Sequence, residues 1–257
     1  MGNHRKAAFF DLDGTLAVSN RPPAAADTAA IRALRAAGHL AVLCTGRSRG
    51  YLYPEILNIC FDAIISGAGA RIELDNRLLY RCFLSADELR LIIGRVMRTG
   101  RACVLEGEEQ MLVVGNGADR DLPWPRIASY DDLDARYHGQ AISKCTLFGV
   151  LDEDDRRVLD PVFSVIQNTG YAEILPAGCC KSDGLRRVIE AADIRREDSL
   201  AFGDSPNDSD MLRYAGIGIA MGNAPDSVKA DADYVTGTLE QNGVAMAINR
   251  LVLYGGH

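Results

Sequence analysis

The sequence has few histidines, no paired cysteine motif and no long apolar segment, and each shortage excludes a class of protein. The four histidines are scattered, without the spacing of metal ligands or of a catalytic triad. The seven cysteines are odd in number and lack the paired spacing that closes a zinc site, so we expect reduced thiols. No segment is apolar enough for a signal-peptide core or a bilayer span, and we therefore expect a cytoplasmic protein with no membrane partner.

Basic residues are also fewer than acidic residues, 28 against 35. The formal net charge of −7 offers no general attraction for nucleic acid, which we do not expect as a partner. Two short glycine-rich stretches, Gly67-Ala68-Gly69 and Gly216-Ile217-Gly218, each lack the third glycine of a dinucleotide fingerprint. What remains is a chain of 257 residues, 47% hydrophobic and 25% charged, which is typical of a globular protein with one large or two modest domains.

Short apolar runs alternate with helical patterns towards both ends of the chain. This alternation predicts an α/β class, with a doubly wound, Rossmann-like parallel sheet and helices on both faces. Ligands bind such sheets beyond the carboxyl ends of the strands, and Asp11, Thr45 and Asp204 each follow a predicted strand. The predicted elements are strands at 7–10, 40–44, 61–65, 199–202 and 217–220, a hairpin of 71–74 with 78–80, and helices at 26–37, 182–192 and 207–214.

The middle of the chain has a different pattern, which predicts an α+β unit inserted into the first. We therefore expect a core made of residues 1–81 and 178–257, with an inserted domain at 82–177. The predicted elements of the insert are helices at 85–97 and 152–166, strands at 102–106, 111–114, 144–150 and 171–175, and a loop at 116–124.

Asp11 and Asp13 stand two residues apart at the end of the first predicted strand. A carboxylate such as Asp11 can attack phosphorus and form an acyl phosphate, while Asp13 can protonate the leaving oxygen and later take a proton from water. Gly14 permits a tight turn after them. A calcium-binding loop is the alternative, but counted from Asp11 its glycine position holds Leu16 and its closing glutamate position holds Pro22.

A second acidic cluster, Asp204 with Asp208, follows another predicted strand. Together with Asp11 these residues would form an all-oxygen site suited to Mg²⁺. The metal would offset the repulsion between an anionic nucleophile and an anionic phosphate. Alternatively, Asp208 or Asn207 could merely cap the next helix, which leaves the acid at the strand end unexplained.

Two further segments could bind phosphate. Thr45-Gly46-Arg47 follows a strand and could offer a hydroxyl and backbone amides to phosphate oxygens. Lys181 precedes a helix start, where a fixed cation would neutralise charge in the transition state. Neither signal is specific alone, because a lone lysine is more often solvated and Arg47 could equally be a salt-bridged structural residue.

These four clusters, in this order, resemble the haloacid dehalogenase-like (HAD) superfamily of phosphohydrolases, whose opening motif has the form Asp-x-Asp-Gly-Thr. The insert lies between the second and third motifs. With Ala220-Met221-Gly222-Asn223-Ala224 near the end, this arrangement is similar to the Cof-type sugar-phosphate phosphatase branch with a C2-type cap. One departure is Ala68-Gly69-Ala70, where many relatives have Asn-Gly-Ala.

The resemblance implies a magnesium-dependent phosphomonoester hydrolase that forms an aspartyl phosphate and acts on a small phosphorylated metabolite such as a sugar phosphate. The insert would be its cap, where Glu106, Arg120, Trp124 and Lys144 are specificity candidates without a motif. The implied roles are Asp11 as nucleophile, Asp13 as acid and base, Thr45, Gly46, Arg47, Lys181 and Asn207 as phosphate or substrate ligands, and Asp11, the Asp13 backbone carbonyl, Asp204 and Asp208 as metal ligands.

Two other functions stay open. A phosphomutase or phosphotransferase of the phosphomannomutase-like type would pass the phosphoryl group back to a sugar. A non-catalytic metal- or phosphate-binding module would keep the fold without turnover, although every residue type that the chemistry needs is present. The expected assembly is a monomer or a homodimer.

Overall fold

The computed structural model describes residues 4–18, 20–115 and 122–253, and these divide into two compact units. Unit 1 comprises the described residues up to Arg47, then Tyr51–Tyr80 and the described residues from Cys180 onward. Unit 2 comprises Ser48–Gly50 and Arg81–Cys179. The role of the inserted segment as a separate cap domain stays a prediction.

The strands belong to two sheets, one in each unit. In chain order they are β1 (Ala7–Phe10), β2 (Leu40–Cys44), β3 (Ala63–Ser66), β4 (Arg71–Leu74), β5 (Arg77–Arg81), β6 (Cys103–Gly107), β7 (Met111–Val114), β8 (Arg126–Ile127), β9 (Ile142–Phe148), β10 (Phe163–Asn168), β11 (Tyr171–Pro176), β12 (Ser199–Gly203), β13 (Ile217–Ala220) and β14 (Tyr234–Val235).

Helices connect most of these strands. They are α1 (Ala25–Ala36), α2 (Pro54–Leu57), α3 (Ala86–Thr99), α4 (Tyr130–Tyr137), α5 (Glu153–Leu159), α6 (Lys181–Ala191), α7 (Ser209–Tyr214), α8 (Asp226–Lys229) and α9 (Gly243–Ile248). Among the residues described, none of the helices is both long and apolar enough to cross a membrane.

The sheet of unit 1 has the order β14-β13-β12-β1-β2-β3-β4-β5 and is parallel from β14 to β3, with β4 antiparallel to β3. β1 is central, and its side chains alternate between two apolar layers. Phe10 packs in the layer that contains Leu34 of α1, and Phe9 packs in the layer that contains Leu185 of α6. Burial on both faces explains why these strands are continuous apolar runs. The predicted doubly wound α/β core is confirmed.

The sheet of unit 2 has the order β10-β11-β9-β6-β7-β8, and its described pairs are antiparallel except for β7 with β8. One face forms an apolar core with α3, α4 and α5, to which Leu105, Cys145 and Ile174 contribute. Successive side chains of a strand point to opposite faces, so neighbours of these residues lie on the other face. α3 begins with a capping box at Ser85 and ends before Gly100, whose φ is 68°.

The helix predicted at 152–166 is wrong. The helix α5 ends at Leu159, and residues Phe163–Asn168 form β10, which pairs antiparallel with β11. Pro161 lies between the two elements, where its ring and missing N–H are incompatible with a continuous helix. Apolar residues on both sides of Pro161 follow a helical spacing, and for this reason the boundary between α5 and β10 was not predicted.

Two predictions fall partly beyond the described chain. Residues 116–121 of the predicted loop at 116–124 lie outside the described residues, and so does the cap candidate Arg120. The aromatic cap candidate, Trp124, is half-buried. The helix α4, the short β8 and the short β14 were not predicted from the sequence, since each is brief or weakly patterned.

Candidate active site

Asp11 directly follows β1 at the carboxyl edge of the parallel sheet. Its amide donates to the Phe202 carbonyl at 3.0 Å, which continues the pairing with β12 by one residue, and only 4% of Asp11 is exposed. Burial, together with the carboxylates of Asp208 and Asp204, raises the pKa of Asp11 well above its usual value against the opposing effect of Lys181.

Lys181, the first residue of α6, provides the cation. Its Nζ donates to Asp11 Oδ1 at 2.6 Å and to Asp208 Oδ1 at 2.6 Å, and the residue is 1% exposed. Burial opposes the charged ammonium, but the two carboxylates outweigh it and raise the pKa of Lys181 well above its usual value. The next amide, Ser182 N, donates to Asp210 Oδ2 at 2.8 Å, which ties the start of α6 to α7.

Asp204 follows β12, which neighbours β1 in the sheet. Carboxylate oxygens of Asp11, Asp204 and Asp208 lie within 4.8 Å of one another. Thr15 Oγ1 donates to Asp204 Oδ1 at 2.9 Å, while burial and then Asp208 raise the pKa of Asp204 to about 6. Among the described residues, the Lys181 ammonium forms ion pairs with two of these three carboxylates, those of Asp11 and Asp208. This excess of negative charge and these hard oxygen donors fit a divalent cation such as Mg²⁺.

Asp208 organises the surrounding loop. Its Oδ2 accepts from the amides of Asp204, at 3.0 Å, and Ser205, at 2.9 Å, while its Oδ1 accepts from Lys181. Ser205 Oγ donates to Asn207 Oδ1 at 2.6 Å. The carboxylate of Asp208 thus holds both the Lys181 ammonium and the backbone of the loop at Asp204 and Ser205. The role of Asp208 as a metal ligand stays a prediction.

Gly14 brings the turn after Asp13 close to Asp204. Its φ is +95°, and a Cβ at this position would lie 2.2 Å from Asp204 Oδ2, so only glycine fits. The Gly14 carbonyl accepts from Asn223 Nδ2 at 2.9 Å, and Asn223 Oδ1 accepts from the Leu239 amide at 3.0 Å. Asn223 was part of the motif that marked the family resemblance, but this contact with Gly14 was not predicted from the sequence.

The loop after β2 carries Thr45, which is buried. The Thr45 amide donates to the Ile65 carbonyl at 2.8 Å, and Thr45 Oγ1 accepts from the Arg47 amide at 3.1 Å across the intervening Gly46. The Ala68 amide donates to the Thr45 carbonyl at 3.0 Å. Ala68 has φ 50° in the left-handed region, which asparagine adopts more readily than alanine.

The Arg47 side chain lies on Asp13. Arg47 Nε donates to Asp13 Oδ2 at 2.7 Å and Nη2 donates to Oδ1 at 2.6 Å. The hydrogen bond to Asp13 is the main reason that the pKa of Arg47 is raised. Sequence reasoning left a salt-bridged arginine open without naming a partner, and the substrate-binding role of Arg47 stays a prediction.

Unit 2 contains a buried ion cluster of its own. Lys144 Nζ lies 2.6 Å from Glu173 Oε1 and 3.2 Å from Glu106 Oε1. Thr146 Oγ1 donates to Glu106 Oε1 at 2.6 Å. These side chains alternate along β6, β9 and β11 with the residues of the apolar core, so they share the opposite face of the sheet. Two of the cap candidates, Glu106 and Lys144, are thus partners of each other.

Comparison with known proteins identifies the family. Residues 8–248 match the model of the haloacid dehalogenase-like hydrolases, and the chain belongs to that family. It is 28% identical over 254 residues to the putative phosphatase YkrA of Bacillus subtilis (strain 168), covering 96% of this chain and 98% of that protein. It is 25% identical over 256 residues to an HMP-PP phosphatase of Yersinia pseudotuberculosis serotype I (strain IP32953), covering 93% of each.

Solved structures agree with the family match. The HAD subclass IIB sugar phosphatase BT4131 superposes with a TM-score of 0.81 at 27% identity, covering 95% of this chain and 98% of that chain. BT1666 from Bacteroides thetaiotaomicron superposes with a TM-score of 0.84 at 24% identity, covering 96% and 95%, which supports the fold alone. The predicted HAD family with its Cof-type branch, and the prediction of an HAD-type phosphatase, are confirmed.

Proposed function

We propose that the protein is a magnesium-dependent phosphomonoester hydrolase that acts on a small phosphorylated metabolite through an aspartyl phosphate on Asp11. The observation that carries the proposal is the buried contact of Lys181 with Asp11 and Asp208, at 2.6 Å each, beside Asp204. Phosphoryl transfer needs a nucleophile and fixed positive charge around the phosphate. This contact supplies both at one strand end.

In the first step an Asp11 oxygen forms a bond to phosphorus while the bond from phosphorus to the ester oxygen breaks. Asp13, protonated at this stage, gives its proton to that oxygen, and the alcohol leaves. Lys181 keeps Asp11 oriented and neutralises charge on the phosphoryl group. Thr45 Oγ1 accepts from the Arg47 amide, and its O–H is proposed to donate to a phosphoryl oxygen.

In the second step water attacks the phosphorus of the aspartyl phosphate. The Asp13 carboxylate takes a proton from this water, the bond between phosphorus and the Asp11 oxygen breaks, and phosphate leaves. Asp11 returns as a carboxylate and Asp13 returns protonated. The two aspartates are thereby ready for another ester.

Asp11, Asp204, Asp208 and the Asp13 backbone carbonyl are proposed to hold the Mg²⁺. When bound, the ion would offset the repulsion between the carboxylates and the anionic phosphate. The support is the excess of acidic oxygens within 4.8 Å of one another. A divalent cation bound at this strand end would neutralise the excess negative charge of the carboxylates.

The substrate class rests on the relatives. One structural relative is described as a sugar phosphatase, and one sequence relative is named an HMP-PP phosphatase. We therefore propose a sugar phosphate or a similarly small ester as the substrate. Unit 2 is proposed to be the cap that selects the organic part and shields the reaction from water.

The test is release of inorganic phosphate by the purified protein with Mg²⁺, from a panel of sugar phosphates and from p-nitrophenyl phosphate. The Asp11→Asn variant is expected to lose all measurable release, since an amide is not a nucleophile here. The matched control is Asp226→Asn, which changes an exposed aspartate at the start of α8 and should retain the wild-type rate.

Two readouts separate the alternatives. Rapid acid quench with ³²P-labelled substrate should leave label on the wild type and none on Asp11→Asn. Release that survives in Asp11→Asn would remove the proposed nucleophile. An isomerised sugar phosphate with little free phosphate would indicate a phosphomutase, and binding of Mg²⁺ without turnover of any ester would indicate a non-catalytic module.

A further inference from the structure

Asp13 has a well-defined partner although its side chain is 47% exposed. Both of its carboxylate oxygens accept hydrogen bonds from Arg47, one from Nε at 2.7 Å and one from Nη2 at 2.6 Å. This bidentate arrangement fixes the plane of the carboxyl group as well as its position. An exposed aspartate without such a partner would sample several rotamers.

Arg47 is itself held from three other directions. Its Nη1 donates to Asn20 Oδ1, its guanidinium lies over the Tyr53 ring at 5.5 Å from the centroid, and its own amide donates to Thr45 Oγ1. Tyr53 is fixed in turn, because its hydroxyl donates to the Arg21 carbonyl at 3.0 Å. The side chain of Arg47 is only 18% exposed. The orientation of Asp13 is therefore anchored to the loop that carries Thr45.

The same geometry bears on whether Arg47 binds the substrate phosphate. An arginine binds a phosphate or a carboxylate best with two parallel N–H groups. Here the pair formed by Nε and Nη2 is taken by Asp13, and Nη1 contacts Asn20. A bidentate phosphate contact through Nε and Nη2 would have to displace Asp13. The contacts thus favour a role that acts through Asp13.

We propose that Arg47 is a positioning residue that holds Asp13 in the orientation needed for proton transfer to and from the reacting oxygens. The inference rests on the proposed phosphatase function. Asp13 alternates between a protonated and an ionised form during the two steps, and a carboxyl group that carries a proton still has an accepting oxygen. Arg47 can therefore keep one hydrogen bond to Asp13 while the other oxygen holds the proton.

The test compares two esters that share the phosphoryl group and differ in the leaving group. The nitrophenolate of p-nitrophenyl phosphate departs readily without a proton, whereas the phenolate of phenyl phosphate benefits more from one. Arg47→Met, which keeps the apolar stem, should lower kcat/KM for phenyl phosphate about 10-fold more than for p-nitrophenyl phosphate. Asp13→Asn should show the same selectivity with a larger loss, and Arg47→Lys should be intermediate.

A double-variant cycle gives the second readout. If Arg47 acts through Asp13, adding Arg47→Met to Asp13→Asn should cause no further loss for phenyl phosphate beyond the single Asp13→Asn. Equal losses for the two esters in Arg47→Met, or additive losses in the cycle, would overturn the positioning role and indicate a direct phosphate ligand or a structural arginine. Thermal unfolding of every variant shows whether it is folded at the assay temperature.

Failure of the underlying function would look different. If the wild type released phosphate from neither ester, the phosphatase proposal would fall and the positioning role with it. If the wild type turned over both esters and Arg47→Met lost the same factor for each, the phosphatase would stand and only the role of Arg47 would fall. The two results are distinguishable in one set of assays.

Discussion

Each unit of the molecule buries a lysine between two carboxylates, yet the two clusters differ in what surrounds them. Lys181 lies 2.6 Å from both Asp11 and Asp208. Lys144 lies 2.6 Å from Glu173 and 3.2 Å from Glu106. The first cluster lies where parallel strands end, and the second lies on strands paired side by side in the middle of an antiparallel sheet.

The difference in charge is as informative as the difference in place. The core cluster has a third carboxylate, Asp204, within 4.8 Å of the others. The cluster of unit 2 has Thr146 donating to Glu106 instead. Burial raises the pKa of Glu106, as it raises the pKa values of Asp11 and Asp204, so in either cluster a proton can supply missing positive charge. The two clusters therefore differ in the number of carboxylates that surround the lysine and in their place in the sheet.

The largest expected effect comes from removing each lysine in turn. Lys181→Met should lower kcat/KM for p-nitrophenyl phosphate about 10²–10³-fold, because a fixed cation beside the reacting phosphate is lost. Lys144→Met leaves Glu106 and Glu173 buried without their shared cation, as Lys181→Met leaves Asp11 and Asp208, and each change should cost about 3–5 kcal/mol of unfolding free energy. Steady-state kinetics and chemical denaturation of both variants measure the two effects. An equal loss of activity in the two variants would contradict the distinction between the clusters.

A smaller effect is expected from Mg²⁺ on stability. At a concentration 100 times its Kd, an ion that binds only the folded protein stabilises it by about 2.7 kcal/mol. Asp204→Asn should lose most of this gain, because it removes one of the three clustered acids. Glu106→Gln, the matched change in unit 2, should keep it. Thermal unfolding in Mg²⁺ and in NaCl of equal ionic strength provides the measurement, and an equal gain in both variants would rule out the core cluster as the metal site.

The smallest effect concerns the pH dependence of stability. Because the pKa of Glu106 is raised in the folded state, its contribution to stability is complete below the usual glutamate pKa and is lost as pH rises through the raised value. Glu106→Gln should remove this loss, by about 1.4 kcal/mol for each unit by which the pKa is raised. Thermal unfolding between pH 4 and pH 8 measures the slope.

The control for the pH experiment is Glu109→Gln, which changes an exposed glutamate of unit 2. It should leave the slope of stability against pH unchanged. A slope that is the same in the wild type and in Glu106→Gln would mean that Glu106 does not titrate with folding. Protonation of Glu106 would then not offset the excess negative charge of the cluster in unit 2.

Much of the core could be predicted because local sequence and tertiary environment agree there. The run Ala7–Phe10 is buried on both faces, so its composition alone marks a central parallel strand, and Asp11 is placed at the strand end by chain continuity. The helix predicted at 152–166 failed because apolar spacing was given more weight than Pro161. The residue that could have corrected the prediction was in the sequence.

The contacts that complete the site could not be predicted in the same way. Arg47 meets Asp13 across 34 residues, and Asn223 meets the Gly14 carbonyl across 209 residues. Asp210 contacts the amide that follows Lys181, although nothing in its own segment sets it apart from other helical aspartates. Such pairs depend on how loops after different strands come together. The order of residue types along the chain does not indicate which loops come together.

The central place of β1 has a consequence for how the protein is made. β1 lies between β2 and β12, and Asp11 is 170 residues from Lys181 in the sequence. At about 5–20 residues per second, roughly 10–30 s of synthesis separate Asp11 from Lys181. During that time β1 is an open edge strand of four apolar residues, ready to pair with other chains. Nascent chains interrupted before β12 are therefore expected to aggregate rather than to show partial activity.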